Sequence, residues 1–151
     1  MDIALRWDDE RQRADFALES GDLAVDGGLE TAVLVSLFTD RQALPGDLPE
    51  GEDRRGWWGD GLRVSPGDRI GSRLWLLRRE TLSARTIQRA IQYAREALEW
   101  LIEDGVASAV EVTAEALPAR SGALSLVTVI DRPGAVPARW TRTWEVHLRA
   151  V

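Results

Sequence analysis

The residue types that carry most enzyme chemistry are scarce in this chain. It has no cysteine and a single histidine, His147. Without thiols there is no disulfide, no thiolate nucleophile and no thiolate metal site, and one imidazole cannot build a histidine cluster within one chain. His147 alternates onto the outward face of a predicted strand, and neither a GxSxG elbow nor a spacing-defined partner accompanies it. It reads as a solvated strand residue rather than a catalytic base. Carboxylates are plentiful, in groups at Asp8, Asp9 and Glu10, at Glu50, Glu52 and Asp53, and at Glu103 and Asp104. A glycosidase needs two at a defined separation, one of them with its pKa raised in an apolar pocket. Any acidic chain supplies such pairs on paper, so they identify nothing by themselves. No spacing matches a calcium loop or a phosphate-cradling glycine motif. The expectation is no catalytic residue, no metal site and no cofactor.

Three other features suit contact between proteins. All 19 basic residues are arginine, which a GC-rich gene explains as well as any function does, and seven tryptophans stand against two phenylalanines and one tyrosine. Arginine's planar, weakly hydrated fork tolerates interfaces better than lysine's ammonium, and tryptophan and arginine dominate buried contacts between proteins. Next, Arg54, Arg55, Trp57, Trp58 and Asp60 stand in a glycine-flanked loop. Adjacent residues of an extended segment point to opposite sides, so one indole is expected to fold back as a lid on the core and the other to be left for a partner. Last, Arg85, Arg89, Gln92, Glu96, Glu99 and Glu103 form one helical stripe, with arginines at its N-terminal end and acids at its C-terminal end. That order opposes the helix dipole and places like charges at i,i+4. Screening by solvent makes it tolerable, and the functional reading is a stripe held for complementary charges on another subunit.

The elements that must position these residues follow from periodicity. Ile3, Leu5 and Trp7 alternate, as do Ala14, Phe16 and Leu18, which predicts a hairpin with one buried face. Residues 29–38 read as a buried helix of about three turns. Residues 41–70, with three prolines and many glycines, form an irregular loop of a length that is usually functional or ordered by a partner. Leu74, Trp75 and Leu77 fit a short core-facing helix. The segment 83–104 is the strongest signal: Ile87, Ile91, Ala94, Leu98, Leu101 and Ile102 keep helical spacing, Ser83 is a good N-cap and Gly105 a good stop. Val110, Val112 and Ala114 alternate on one strand, and residues 124–130 read as a central strand. On a third strand Trp140, Trp144, Val146 and Leu148 share a face, with Arg142 between the tryptophans. No internal repeat is evident. Together these predict one α+β domain over residues 1–151, an antiparallel sheet with an N-terminal hairpin and a C-terminal β-meander, packed against one long helix and one or two shorter ones.

The totals agree. A length of 151 residues, 44% hydrophobic and 29% charged, suits one ordinary globular domain. A net charge of −6 disfavours blanket binding to nucleic acid or anionic membrane. The N-terminus lacks a signal-peptide core, and no apolar run approaches the roughly 20 residues that span a bilayer.

The blocks LETAVLVSLFTDRQA, RRGWWGD, GSRLWLLRRETL and YAREALEWLIEDGVASAVEV resemble the baseplate protein family of phage Mu-like contractile tails. That family is similar to the wider lysozyme-like baseplate wedge, or sheath-initiator, superfamily. The resemblance covers residues 2–148. It implies a virion protein of the tail baseplate, assembled in the host bacterial cytoplasm, with six copies in a ring joining the wedge to the first tail-sheath ring. Its implied partners are other wedge proteins, the sheath protein, and tube or hub proteins. In the wider superfamily a Glu-Pro-Arg signature after the long helix docks the protein on the wedge. Here Glu103, Asp104 and Gly105 stand there and only the glutamate matches, so the expected wedge contact shifts to the loop at 54–60. The resemblance also implies that a sheet edge templates the sheath by strand pairing, and residues 139–149 are the candidate edge. The rival reading, drawn from the superfamily's label, is a lysozyme-like glycosidase acting on peptidoglycan. A third is a regulatory binding module in a bacterial cell.

Overall fold

The computed structural model describes residues 2–8, 10–11, 13–26, 29–62, 69–117, 122–134 and 144–147, the last stretch by its backbone. Chain order is β1 (Asp2–Ile3), β2 (Leu5–Asp8), β3 (Arg13–Phe16), β4 (Leu18–Glu19), β5 (Asp22–Leu23), β6 (Val25–Asp26), α1 (Glu30–Phe38), 3-10 turns at Trp58–Leu62 and Leu74–Arg79, α2 (Ala84–Leu98), α3 (Trp100–Glu103), β7 (Ala109–Ala116), β8 (Ala123–Asp131) and β9 (Trp144–His147). The class is α+β, as the periodicity implies.

The C-terminal meander forms an antiparallel sheet in the order β7-β8-β9. Residues Ala123, Leu124, Ser125 and Leu126 of β8 are all buried, on both faces, as a central strand requires. α2 lies across β7. Its inward face is made of Ala90, Ala94 and Ala97 with Tyr93 and Leu98, and the small side chains let the helix sit close to the sheet. Ser83 caps it, its side chain accepting the Thr86 N–H at 3.2 Å. The expected single rod is divided at Glu99. There the backbone tightens, with the Ile102 N–H reaching the Glu99 carbonyl three residues back at 2.9 Å. Leu101 is thereby buried while Ile102, expected in the core, is exposed.

Leu74–Arg79 is a 3-10 turn rather than an α-helix, and Leu74, Trp75, Leu76 and Leu77 are all buried. Four consecutive apolar residues exceed the single stripe of an α-helix, so they suit a short turn enclosed on every side. The turn packs against α1 and α2, closing one core with β7 and β8.

At the N-terminus the predicted hairpin exists between β2 and β3, pairing Leu5 with Phe16 and Trp7 with Ala14. It is one arm of three. β1 pairs with β6 and β4 with β5, and the arms meet at three alanines. The Ala4 N–H donates to Ala24 (2.8 Å), that of Ala24 to Ala17 (2.8 Å) and that of Ala17 to Ala4 (2.9 Å), a closed triangle of backbone hydrogen bonds. The buried face expected of the hairpin is therefore only half realised. Trp7 stacks on Phe38 of α1 with ring centroids 4.3 Å apart, whereas Ile3, Phe16 and Leu18 are exposed.

A candidate protein interface

The described part of the loop from residue 41 is fastened by its own contacts. The Ala43 N–H donates to the Arg54 carbonyl at 2.9 Å, and the Arg54 guanidinium donates back to the Ala43 carbonyl through both Nε and Nη2. Arg73, almost wholly buried, clamps the loop to α2. Its guanidinium meets Asp47 at 2.9 Å and Glu96 at 2.7 Å, and its plane lies 4.4 Å from the centre of the Tyr93 ring. Arg79 pairs with Glu52 on the outside.

Burial alone would push the Asp47 carboxyl up. Hydrogen bonds from Arg73 and from the Leu44 N–H outweigh it, and the net result lies below the ordinary carboxylate range. A depressed folded pKa stabilises above the unfolded value of about 4 and is lost as pH falls through the lower folded value. Urea midpoints at neutral pH and near pH 3 should therefore differ less in Asp47→Asn than in the parent chain. An unchanged difference would show that Asp47 does not contribute.

On this platform the expected interface residues fare differently. Arg55 is held by Asp40 at 2.7 Å and lies over the Trp75 ring at 4.5 Å, leaving part of the guanidinium in solvent. Trp57 folds back over its own loop rather than over the core, its six-membered ring filling the space where a Gly59 Cβ would stand. Trp57 is 37% exposed and Trp58 77%. Asp60 turns inward and accepts the Ile70 N–H at 3.3 Å, so it is not presented to a neighbour.

The helical stripe is also partly spent inside the molecule. Arg89 pairs with Glu80 and donates to the Tyr93 hydroxyl, and Glu96 belongs to the Arg73 clamp. This corrects the picture of an uninterrupted stripe held for another subunit. Arg85, Gln92, Glu99 and Glu103 are the exposed remainder, with the Gln92 amide donating to Glu96 at 3.0 Å. Beside them Ile91, Leu98, Ile102 and Val110 floor a shallow groove of about 520 Å³. Trp140 and Arg142 lie outside the described residues. Trp144 opens β9, whose place beside β8 puts it, among the described residues, at an edge of the sheet.

The comparisons with known proteins bear on what such surfaces serve. The family model described as "Phage protein GP46" matches residues 29–136, from the start of α1 to beyond β8. The chain belongs to the phage GP46 family. It is 52% identical over 118 residues to "Baseplate protein gp46" of Escherichia phage Mu, covering 77% of this chain and 78% of that protein. It is 37% identical over 141 residues to "Mu-like prophage FluMu protein gp46" of Haemophilus influenzae, covering 93% and 95%. The Mu-like baseplate family resembled at the level of motifs is thus the family to which the chain belongs.

In this GP46 chain the Asp8 and Asp47 carboxyls, both among the described residues, move down. For Asp8 the main cause is the hydrogen bond from the Arg11 N–H. A glycosidase acid needs the reverse. Among the described residues no three metal-binding side chains converge, and no helix is long and apolar enough to cross a membrane.

Sequence reasoning missed two structural elements. Arg73 was readable as the one charge inside the apolar block 70–77, an arrangement that demands buried partners. The three-armed junction was readable as a thrice-repeated pattern, Ile-Ala-Leu at 3–5, Phe-Ala-Leu at 16–18 and Leu-Ala-Val at 23–25. That is a short repeat where none was recognised.

Proposed function

We propose that this chain is a structural, non-enzymatic component of a contractile phage or phage-like tail baseplate, resident in the virion tail and assembled in the host cytoplasm. Several copies, six in the reading adopted, join the wedge to the first ring of sheath subunits. Trp58 and its loop contact a neighbouring baseplate subunit, in place of the Glu-Pro-Arg signature of the wider superfamily. β9 offers its outer edge as the first template for a sheath strand.

The observation that carries the templating step is the place of β9 at the margin of the sheet. The Leu117 N–H donates to Ala123 at 3.0 Å, so the backbone of Ala123 faces β7. By alternation so does that of Ser125, while Leu124 and Leu126 face β9. Their register partners are Val146 and Trp144, which leaves the N–H groups of Glu145 and His147 turned outward. Adding a strand would satisfy them and set its register.

This gives a selective test. Proline at Glu145 removes an outward donor without removing a β8–β9 bond, and proline is tolerated on edge strands. Glu145→Pro should leave the circular dichroism and unfolding midpoint near parental values while abolishing sheath polymerisation on purified baseplates. Normal sheath growth would overturn the templating step, and a reconstruction of the tail with no sheath strand beside β9 would do the same. Clearing of a peptidoglycan suspension by the pure protein, lost on a single Glu→Gln change, would instead support the glycosidase.

Trp58→Ser should change folding stability by less than about 0.5 kcal/mol, as expected of an exposed residue, and should lower incorporation into baseplates at least tenfold. Equal incorporation would remove the loop from the interface.

A further inference from the structure

The sheet has a second open margin, on β7, that nothing in the proposed function uses. β7 pairs with β8 over its whole length, and the Leu117 N–H continues the ladder to Ala123. By alternation Glu111, Thr113 and Glu115 bond to β8, while Val110, Val112, Ala114 and Ala116 turn their N–H and C=O groups outward. Among the described residues nothing bonds to those outward groups. Native sheets usually blunt an edge with a very short strand, a proline or a bulge. β7 runs for eight residues without a proline.

Its two faces differ. Val112 is buried, with Val110 and Ala114 half-buried, on the face that packs toward α2. Glu111, Thr113 and Glu115 are exposed on the other. The groove of about 520 Å³ over Ile91, Leu98, Ile102 and Val110 takes no lining residue from β8, so it lies on the open side of β7. A strand added to that edge would project every second side chain toward the groove. Ile102, 47% exposed, is the apolar surface such side chains would cover.

Charge specifies the occupant once internal pairs are set aside. Between Ala84 and Ala116, Arg89 is spent on Glu80 and Glu96 on Arg73. The exposed charges left without an ion pair among the described residues are the carboxylates of Glu99, Glu103, Asp104, Glu111 and Glu115, against the guanidinium groups of Arg85 and Arg95. β8 adds only a further acid, Asp131. Arg132, just beyond it, has its Nε buried. The surroundings of the edge are therefore acidic in balance. Two copies joined antiparallel through this edge about Thr113 would set Glu111 of each against Glu115 of the other, and like charges directly opposite repel.

We infer that the open edge of β7 receives an extended arm of a different protein, apolar on its side toward α2 and carrying arginine or lysine on its side toward Glu111 and Glu115. Main-chain bonds to residues 110–116 supply the affinity and the register, and the groove and the carboxylates supply the selectivity. The sheet is then bivalent, with β7 and β9 serving different strands. This step stands apart from the templating assigned to β9, and either can fail without the other.

Amide hydrogen exchange of the full chain, read by NMR with a synthetic peptide as probe, tests it. The peptide is acetyl-Val-Arg-Val-Arg-Val-Arg-Val-amide, whose length matches residues 110–116. At saturation it should slow exchange at Val110, Val112, Ala114 and Ala116 by roughly tenfold or more, and leave Glu145 and His147 of β9 unchanged. The same peptide with glutamate in place of arginine should protect nothing. Glu111→Arg with Glu115→Arg, both on exposed side chains, should reverse the preference between the two peptides. Ala114→Pro removes an outward donor and keeps the β7–β8 bonds, so it should hold parental circular dichroism and weaken binding of the arginine peptide roughly tenfold. Should Ala114→Pro unfold, the charge reversal decides alone. No protection at β7, equal protection by both peptides, or protection confined to Glu145 and His147 would overturn the inference.

Discussion

Replacing Arg73 with methionine is expected to destabilise the chain by about 3 kcal/mol and to lower its melting temperature by roughly 10 °C. The guanidinium is almost wholly buried and is the shared partner of Asp47 and Glu96, which its loss would leave facing each other. Breaking a buried pair costs about 3–5 kcal/mol. The lower end applies because Glu96 keeps a third of its side chain in water. Lysine should not rescue, since one ammonium cannot reproduce a fork that reaches two carboxylates while lying flat on Tyr93. Adding Asp47→Asn and Glu96→Gln to Arg73→Met removes the stranded charges and should recover most of the loss. Hydrogen exchange should also rise at Ala43 and Leu44, whose N–H groups are bound within the clamped loop. A loss below about 1 kcal/mol, with exchange unchanged, would mean that Arg73 does not hold the loop.

Gly71→Ala is expected to cost about 4 kcal/mol or more, the largest single effect on this fold. Gly71 has φ of +93°, and a Cβ there would stand 2.2 Å from the Thr39 carbonyl oxygen. Left-handed backbone costs a non-glycine residue about 1–2 kcal/mol. The clash is with main chain, so relief requires parting the two bridged segments around it. That breaks the bonds from the Ser72 N–H to Thr39 and from the Arg41 N–H to Ser72, both 2.9 Å, each worth about 1 kcal/mol. Gly46 supplies the comparison, because its φ is +92° with nothing near a Cβ. Gly46→Ala should show only the conformational part. Urea denaturation of the two variants separates the terms, and equal losses would refute the steric account.

How far these features were legible before folding depends on the range of the interaction behind each. α2 was readable because its apolar spacing and its Ser83 cap are local, and the same holds for the alternation of β7 and the continuous apolar run of β8. The interruption of the long helix at Glu99, which leaves Leu101 buried and Ile102 exposed, was not. Residues Arg54 to Asp60 run from loop into the 3-10 turn at Trp58–Leu62. Spacing could not show that Asp60 would turn back to Ile70, or that Trp57 would lie over Gly59 and leave Trp58 outside. The stripe on α2 looked continuous because helical geometry aligns it. Two of its charges are consumed by Glu80 and Arg73, which lie outside the helix.

The amino-acid order alone therefore determined the class of the fold, the helix and strand periods, the family, and the poverty of catalytic groups, because each depends on residue type or on neighbours a few positions apart. The tertiary structure decided which arginines stay available, which indole is exposed, and that three short antiparallel strand pairs meet at alanines to close an apolar ring. Those outcomes rest on pairings between residues distant in the chain, such as Arg73 with Asp47 and Glu96, or Ala4 with Ala17 and Ala24. No local pattern specifies such pairings, because their energy exists only once the chain has brought the partners together.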